Sequence, residues 1–139
     1  MKAKAYLQQA SYIRQRMRFV GEKIEEIRTS LESTGAIRYD KISVQSSPDP
    51  DPMIGSIARL DELVRKYDAM NSSYYDALIE IQKRINGMDS ELYRKILAYR
   101  YLDELTFIQI ADRMSYSYAY IRNKHGEALV AFSKKYHDL

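Results

Sequence analysis

The sequence predicts an all-α protein: a long antiparallel coiled-coil helical hairpin followed by a compact three-helix C-terminal domain. Three observations carry this prediction. Only 5 Gly and 3 Pro interrupt 139 residues, and every Pro falls between positions 48 and 52. Apolar residues recur in alternating steps of three and four over two stretches of about 30 residues each. Thr106-Phe107-Ile108-Gln109 has the Thr-x-x-Gln spacing of a capping box, which marks a short helix in the last third.

The first helix is expected within residues 1–35. From Tyr6 the apolar positions run Ala10, Ile13, Met17, Val20, Ile24, Ile27 and Leu31. That is an a/d seam about 45 Å long at 1.5 Å per residue. Arg14, Arg16 and Arg18 fall between seam positions and read as a solvated face, or as a contact to a phosphate or an acidic partner. Gly21 costs about 1 kcal/mol relative to Ala in a helix interior, which the seam must outweigh. Gly35 is placed to stop the helix.

Residues 36–52 are a linker. Pro48, Pro50 and Pro52 favour extended backbone, and Ile42 and Val44 alternate as in an extended piece. Asp49 and Asp51 lack the ligand run and Gly of a calcium loop, so no metal is expected there. Asp51 or Pro52 starts the next helix.

The second long helix is expected over 53–87. Its seam is Met53, Ile57, Leu60, Val64, Tyr67, Asn71, Tyr74, Leu78, Ile81 and Ile85, widened by Leu63, Met70 and Ala77. Asn71 is either a buried polar group that fixes register or a solvated gap. Two helices of similar length on one linker fold back on each other. Such a hairpin has a thin core and would gain from burying a further face, either on the C-terminal part or on a second copy, so a homodimer through the long helices is expected.

The last domain is expected over 89–136. Asp89 or Ser90 caps a helix carrying Leu92, Ile96, Leu97, Tyr99 and Leu102. Asp103-Glu104-Leu105 turns the chain. A short helix with Ile110, Ala111 and Met114 follows. Ser115-Tyr116-Ser117 forms the next turn, with Tyr116 as the apolar residue between two helices. Ser117 caps a last helix whose inward positions are Ile121, Lys124 or His125, Ala128, Leu129 and Phe132. This order is a helix-turn-helix.

Composition limits the function. A chain that is 45% hydrophobic and 29% charged has enough apolar material to fold. The absence of Cys excludes disulfides, cysteine zinc sites, iron–sulfur clusters and thiol nucleophiles. No apolar run approaches the roughly 18 residues of a membrane span. Met1-Lys2-Ala3-Lys4-Ala5-Tyr6 lacks the apolar core of a secretion signal, so the expected location is cytoplasmic. The net charge of +3 divides as 9 basic and 7 acidic in 1–52, 5 and 5 in 53–88, and 8 and 7 in 89–139. Charge alone therefore does not select nucleic acid as a partner. No phosphate loop, dinucleotide-binding glycine pattern or His-Glu-x-x-His is present. His125 is expected as a packing residue or a phosphate contact, and His137 in a frayed tail. No catalytic constellation emerges, so neither an enzyme nor a cofactor is expected.

Leu97 through Ser117, read together with Ile121 through Leu129, resembles the region-four domain of bacterial sigma factors. It is similar also to small phage activators of the RinA and ArpU type. Tyr6-Leu7-Gln8-Gln9-Ala10, Val44-Gln45-Ser46-Ser47-Pro48 and Asp51-Pro52-Met53 extend a resemblance to small phage and prophage regulators over most of the chain. The resemblance implies a phage-derived, sequence-selective DNA-binding transcriptional regulator of late-gene activator type, acting in the host cytoplasm. Carried over, its recognition helix implies DNA contacts from Ser117, Tyr118, Ala119, Arg122, Asn123 and Lys124. Arg122 would meet a guanine edge or a phosphate, Asn123 an adenine edge, and Tyr118 a phosphate or a thymine methyl. Lys124, Lys134 and Lys135 would meet phosphates. Ala119 departs from the polar residue expected there, and Tyr120 is unusual on such a surface. Implied partners are double-stranded DNA, RNA polymerase and a second copy. The alternative is a protein–protein adaptor that binds RNA polymerase or a phage packaging component through the hairpin, without DNA. The modest charge, Ala119 and the tyrosines Tyr116, Tyr118 and Tyr120 favour it.

Overall fold

A computed structural model describes residues 2–33 and 52–139. The described secondary structure is entirely helical. It comprises α1 (Lys2–Leu7), α2 (Gln9–Ser33), α3 (Pro52–Asn86), α4 (Glu91–Leu97), a π-helical turn (Ala98–Leu102), α5 (Phe107–Met114) and α6 (Tyr118–Lys135). Gly35, the extended Ile42–Val44 piece, Asp49 and Asp51 lie outside the described residues. The chain divides into a first unit, Met1–Arg14 with Ser73–Leu139, and a second unit, Gln15–Ser72.

In the second unit α2 buries Met17, Val20, Ile24 and Leu31, the positions the seam predicts. Leu60, Leu63, Val64, Tyr67, Met70 and Asn71 of α3 are half-buried. Ile57 is a correction: it is 50% exposed, and the inward stripe passes through Ser56 instead. At about 100° per residue, Ser56 continues the Leu60–Leu63 face and Ile57 lies a quarter-turn off it. A Cβ on Gly21 would sit 3.6 Å from Cε2 of Tyr67, an ordinary contact, so packing does not demand the glycine.

In the first unit the helix expected within 1–35 is present from Lys2 but breaks at Gln8. Backbone bonds nevertheless run through the break, from the N–H of Gln8 to the carbonyl of Lys4 and from that of Tyr12 to the carbonyl of Gln8, both 3.0 Å. The core of this unit reaches well outside 89–136. Ala3, Leu7 and Ala10 join Ile81, Ile85, Leu97, Tyr101, Ala128, Leu129 and Phe132 in one buried cluster. A second cluster of Ile96, Ile110, Ala111 and Ile121 lies among α4, α5 and α6. Of the two candidate caps for α4, Ser90 serves: its hydroxyl accepts from the N–H of Tyr93 at 3.2 Å. Arg14 is not simply solvated. It pairs at 2.7 Å with Glu104, whose left-handed backbone (φ 55°) closes the turn before α5.

The residues after α6 are held rather than frayed, which corrects the expectation for the segment around His137. Arg84 grips the Asp138 carboxylate through both nitrogens at 2.8 and 3.2 Å. Its guanidinium lies 5.0 Å from the Tyr6 ring and 5.2 Å from the Tyr136 ring. Tyr136 donates its hydroxyl to the Arg84 carbonyl at 2.6 Å, and Lys135 donates to that of Gly87. A Cβ at Gly87 would fall 2.5 Å from the Tyr136 oxygen. Gly87→Ala is therefore expected to destabilise the protein by about 1–3 kcal/mol through overpacking. Thermal denaturation reads this as a lowered midpoint, and an unchanged midpoint contradicts it.

Candidate nucleic-acid interface

Local chemistry sets how α5 leads into α6. Thr106 accepts from the N–H of Gln109 at 3.2 Å, and the Gln109 side chain accepts from the N–H of Thr106 at 2.9 Å. This closes the capping box the sequence predicts and orients α5. Ser115 ends α5 in the left-handed conformation, φ 60° and ψ 42°. Ser117 then starts α6, accepting from the N–H of Tyr120 at 3.1 Å. Ile110, Ala111 and Ile121 fill the angle between the helices. They anchor one face of α6 and leave the opposite face of its first turns outward.

Ser117, Tyr118, Ala119, Arg122 and Asn123 are all exposed on that outward face. The Arg122 guanidinium lies 6.0 Å from the Tyr118 ring, which in turn meets Phe107 edge-on at 6.4 Å. Lys124 is less free. It pairs at 3.0 Å with Glu127, which also accepts the Tyr93 hydroxyl at 3.0 Å. The Lys124 ammonium holds the Glu127 carboxyl below its ordinary range, with the Tyr93 hydrogen bond adding to it. Lys134 and Lys135 are not brought to this face. They lie near the far end of α6, about 25 Å along the axis from Ser117 at 1.5 Å per residue. Lys135 is bonded to Gly87 and lies 3.8 Å from Asp89.

Tyr116 does not sit between the two helices. It is 46% exposed and lies against Tyr120 with ring centroids 4.5 Å apart. The aliphatic cluster, with Met114 partly buried against it, already occupies that space. Between Lys124 and His125, the inward residue is His125, which is 7% exposed. Its Nε2 lies 2.8 Å from the Tyr101 hydroxyl and its ring centroid 4.8 Å from that of Phe107. Burial, with Arg100 and Lys4 adding repulsion, lowers the His125 pKa to about 4. Burial pushes the Tyr101 phenol up to about 12. Both groups are thus neutral near pH 7 and share one hydrogen bond, whose direction follows the imidazole tautomer.

Sequence reasoning missed Tyr101, although it stands four residues after the buried Leu97, on the face that the ordinary helical period turns inward. The expected inward residues, Tyr99 and Leu102, are only half-buried, whereas Tyr101 is 5% exposed. The N–H of Asp103 reaches back five residues to the carbonyl of Ala98 at 3.1 Å, as a π turn requires. Among the described residues no group of three or more His, Asp or Glu side chains is placed to hold a metal. Among them, too, no helix is long and apolar enough to cross a membrane. No protein-family model, curated protein or solved structure matches the chain.

Proposed function

We propose that this chain is a phage-derived, sequence-selective DNA-binding transcriptional regulator that uses α5, its turn and α6 as a helix-turn-helix. The observation that carries the reading is the outward display of Ser117, Tyr118, Ala119, Arg122 and Asn123 on the first turns of a capped helix. Its opposite face is anchored by Ile121 and His125. Such a helix end can enter a major groove, and its free N–H groups favour a nearby phosphate. Arg122 suits a guanine edge and Asn123 an adenine edge. The long helices bring two copies together or dock on RNA polymerase. The reading needs no cofactor and no catalytic step.

The test is selection from a randomised duplex library followed by a mobility shift across salt concentrations. Wild type is expected to enrich one sequence motif. Arg122→Ala/Asn123→Ala is expected to weaken binding to that motif at least about thirtyfold, since each base-edge pair contributes roughly 1–3 kcal/mol. Equal binding by the double variant refutes the proposed surface.

A second reading, a protein–protein adaptor, is favoured by the same face. Lys124 is neutralised by Glu127, and the Tyr116–Tyr120 pair and Ile108 (69% exposed) present apolar surface. Retention of purified RNA polymerase in nuclease-treated samples, with no motif enriched from the library, selects that reading.

A further inference from the structure

Helix α3 carries a second stripe on a different face from its inward seam. Ile54, Ile57, Asp61, Arg65, Asp68, Ser72, Tyr75 and Ile79 follow one another in steps of 3, 4, 4, 3, 4, 3 and 4. At about 100° per residue they fall within an arc of roughly 80°. All eight are exposed. The apolar members are 65% (Ile54), 50% (Ile57), 53% (Tyr75) and 52% (Ile79) exposed. Large apolar groups therefore sit in water at both ends of the stripe, with charge between them. Scattered exposed apolar residues need no explanation, but a periodic set on one helix face does.

The stripe is self-complementary when read backwards. Laid antiparallel on a copy of itself about a two-fold axis near Lys66 and Tyr67, Ile54 meets Ile79 of the second copy. Ile57 meets its Tyr75, Asp61 its Ser72, and Arg65 its Asp68. Paired positions add to 133, or to 132 for Ile57 with Tyr75, so one register satisfies every pair. Arg65 has an 80% exposed side chain and its partner on the same helix, Asp61, is 3.2 Å away and 61% exposed. The guanidinium can thus bridge Asp61 and the facing Asp68. The symmetry produces that bridge twice. Parallel pairing would instead stack Asp61 on Asp61 and Arg65 on Arg65. An isologous two-fold contact of this kind closes at two copies.

We infer that α3 is the dimer interface, through this stripe in antiparallel register, and that the occupant is a second copy of the chain. The inference sharpens the dimer reading of the long helices. It does not depend on DNA binding, and its test contains no DNA, so the two can fail separately. Light scattering of the full chain at about 100 μM is expected to give the mass of two chains. Arg65→Asp places like charges opposite each other and is expected to raise the dissociation constant at least roughly tenfold. Adding Asp68→Arg reverses the pair and is expected to restore the dimer. Because the chain has no Cys, Ile54→Cys and Ile79→Cys report register without background. Mixed and oxidised, the two variants are expected to cross-link to each other, and neither to itself. A monomer at that concentration, an Arg65→Asp protein as dimeric as wild type, or Ile54→Cys cross-linking to itself each overturns the inference. Circular dichroism of the charge variants confirms that loss of the dimer is not loss of the fold.

Discussion

Acidification through the window between pH 6.5 and about 4 is expected to cost the first unit about 3 kcal/mol through His125 alone. The direction follows from the protons bound. Unfolded, the imidazole takes up a proton near its ordinary 6.5. Folded, it resists until about 4, because burial and the nearby Arg100 and Lys4 disfavour the cation. Between those values the unfolded chain holds more protons, so stability falls as the pH falls. The contribution is fully present above pH 6.5 and lost below about 4. Urea denaturation of wild type and His125→Gln across this window separates the histidine from the carboxylates. Glutamine can donate to or accept from Tyr101 and does not titrate. The gap between the two curves should change with pH, and parallel curves would exclude His125 as the source.

The second large effect is expected from Phe132→Ala. Phe132 is 0% exposed, and its ring lies 6.0 Å from Tyr6 and 4.8 Å from Tyr136, centroid to centroid. It therefore joins α6 to α1 and to the segment that Arg84 holds. Truncation removes the ring and leaves a cavity beside the two tyrosines, in the cluster that holds Leu7 and Leu129. Losses for such a change run to about 3–5 kcal/mol, a large share of the roughly 5–15 kcal/mol that holds a domain together. Denaturant titration is expected to show the midpoint falling with an unchanged slope. A loss under about 1 kcal/mol would mean that α1 moves in to fill the space.

Features that depend on a few neighbouring residues were legible. Thr106 with Gln109, and Ser117, cap their helices as the sequence predicts, and Ser90 is one of the two candidates it offered for α4, because a cap is a bond across three residues. The α2 seam was legible because burial follows the helical period. What the seam does not encode is which partner it faces. Ala3, Leu7 and Ala10 continue the pattern of α2, yet they pack with Ala128 and Phe132. Tyr101 lies one helical turn after Leu97 and was open to the same reasoning, but Tyr99 and Leu102 were read as inward in its place. The grip of Arg84 on Asp138 spans 54 positions and leaves no local trace. On the outward face of α6, exposure could be read from the Ile121–His125 period. The Lys124–Glu127 pairing, which reduces the free charge there, depends on side-chain geometry that residue types do not fix.

The place of α1 bears on how the protein is made. Its first buried residues, Ala3 and Leu7, belong to a cluster completed by Ala128, Leu129 and Phe132. In the order of synthesis this segment precedes those partners by more than a hundred residues. At about 5–20 residues per second it waits several seconds with its apolar face uncovered. Contacts of such long sequence separation slow folding, because the chain must close a large loop before they form. The later helices thus share their core with a segment made well before them.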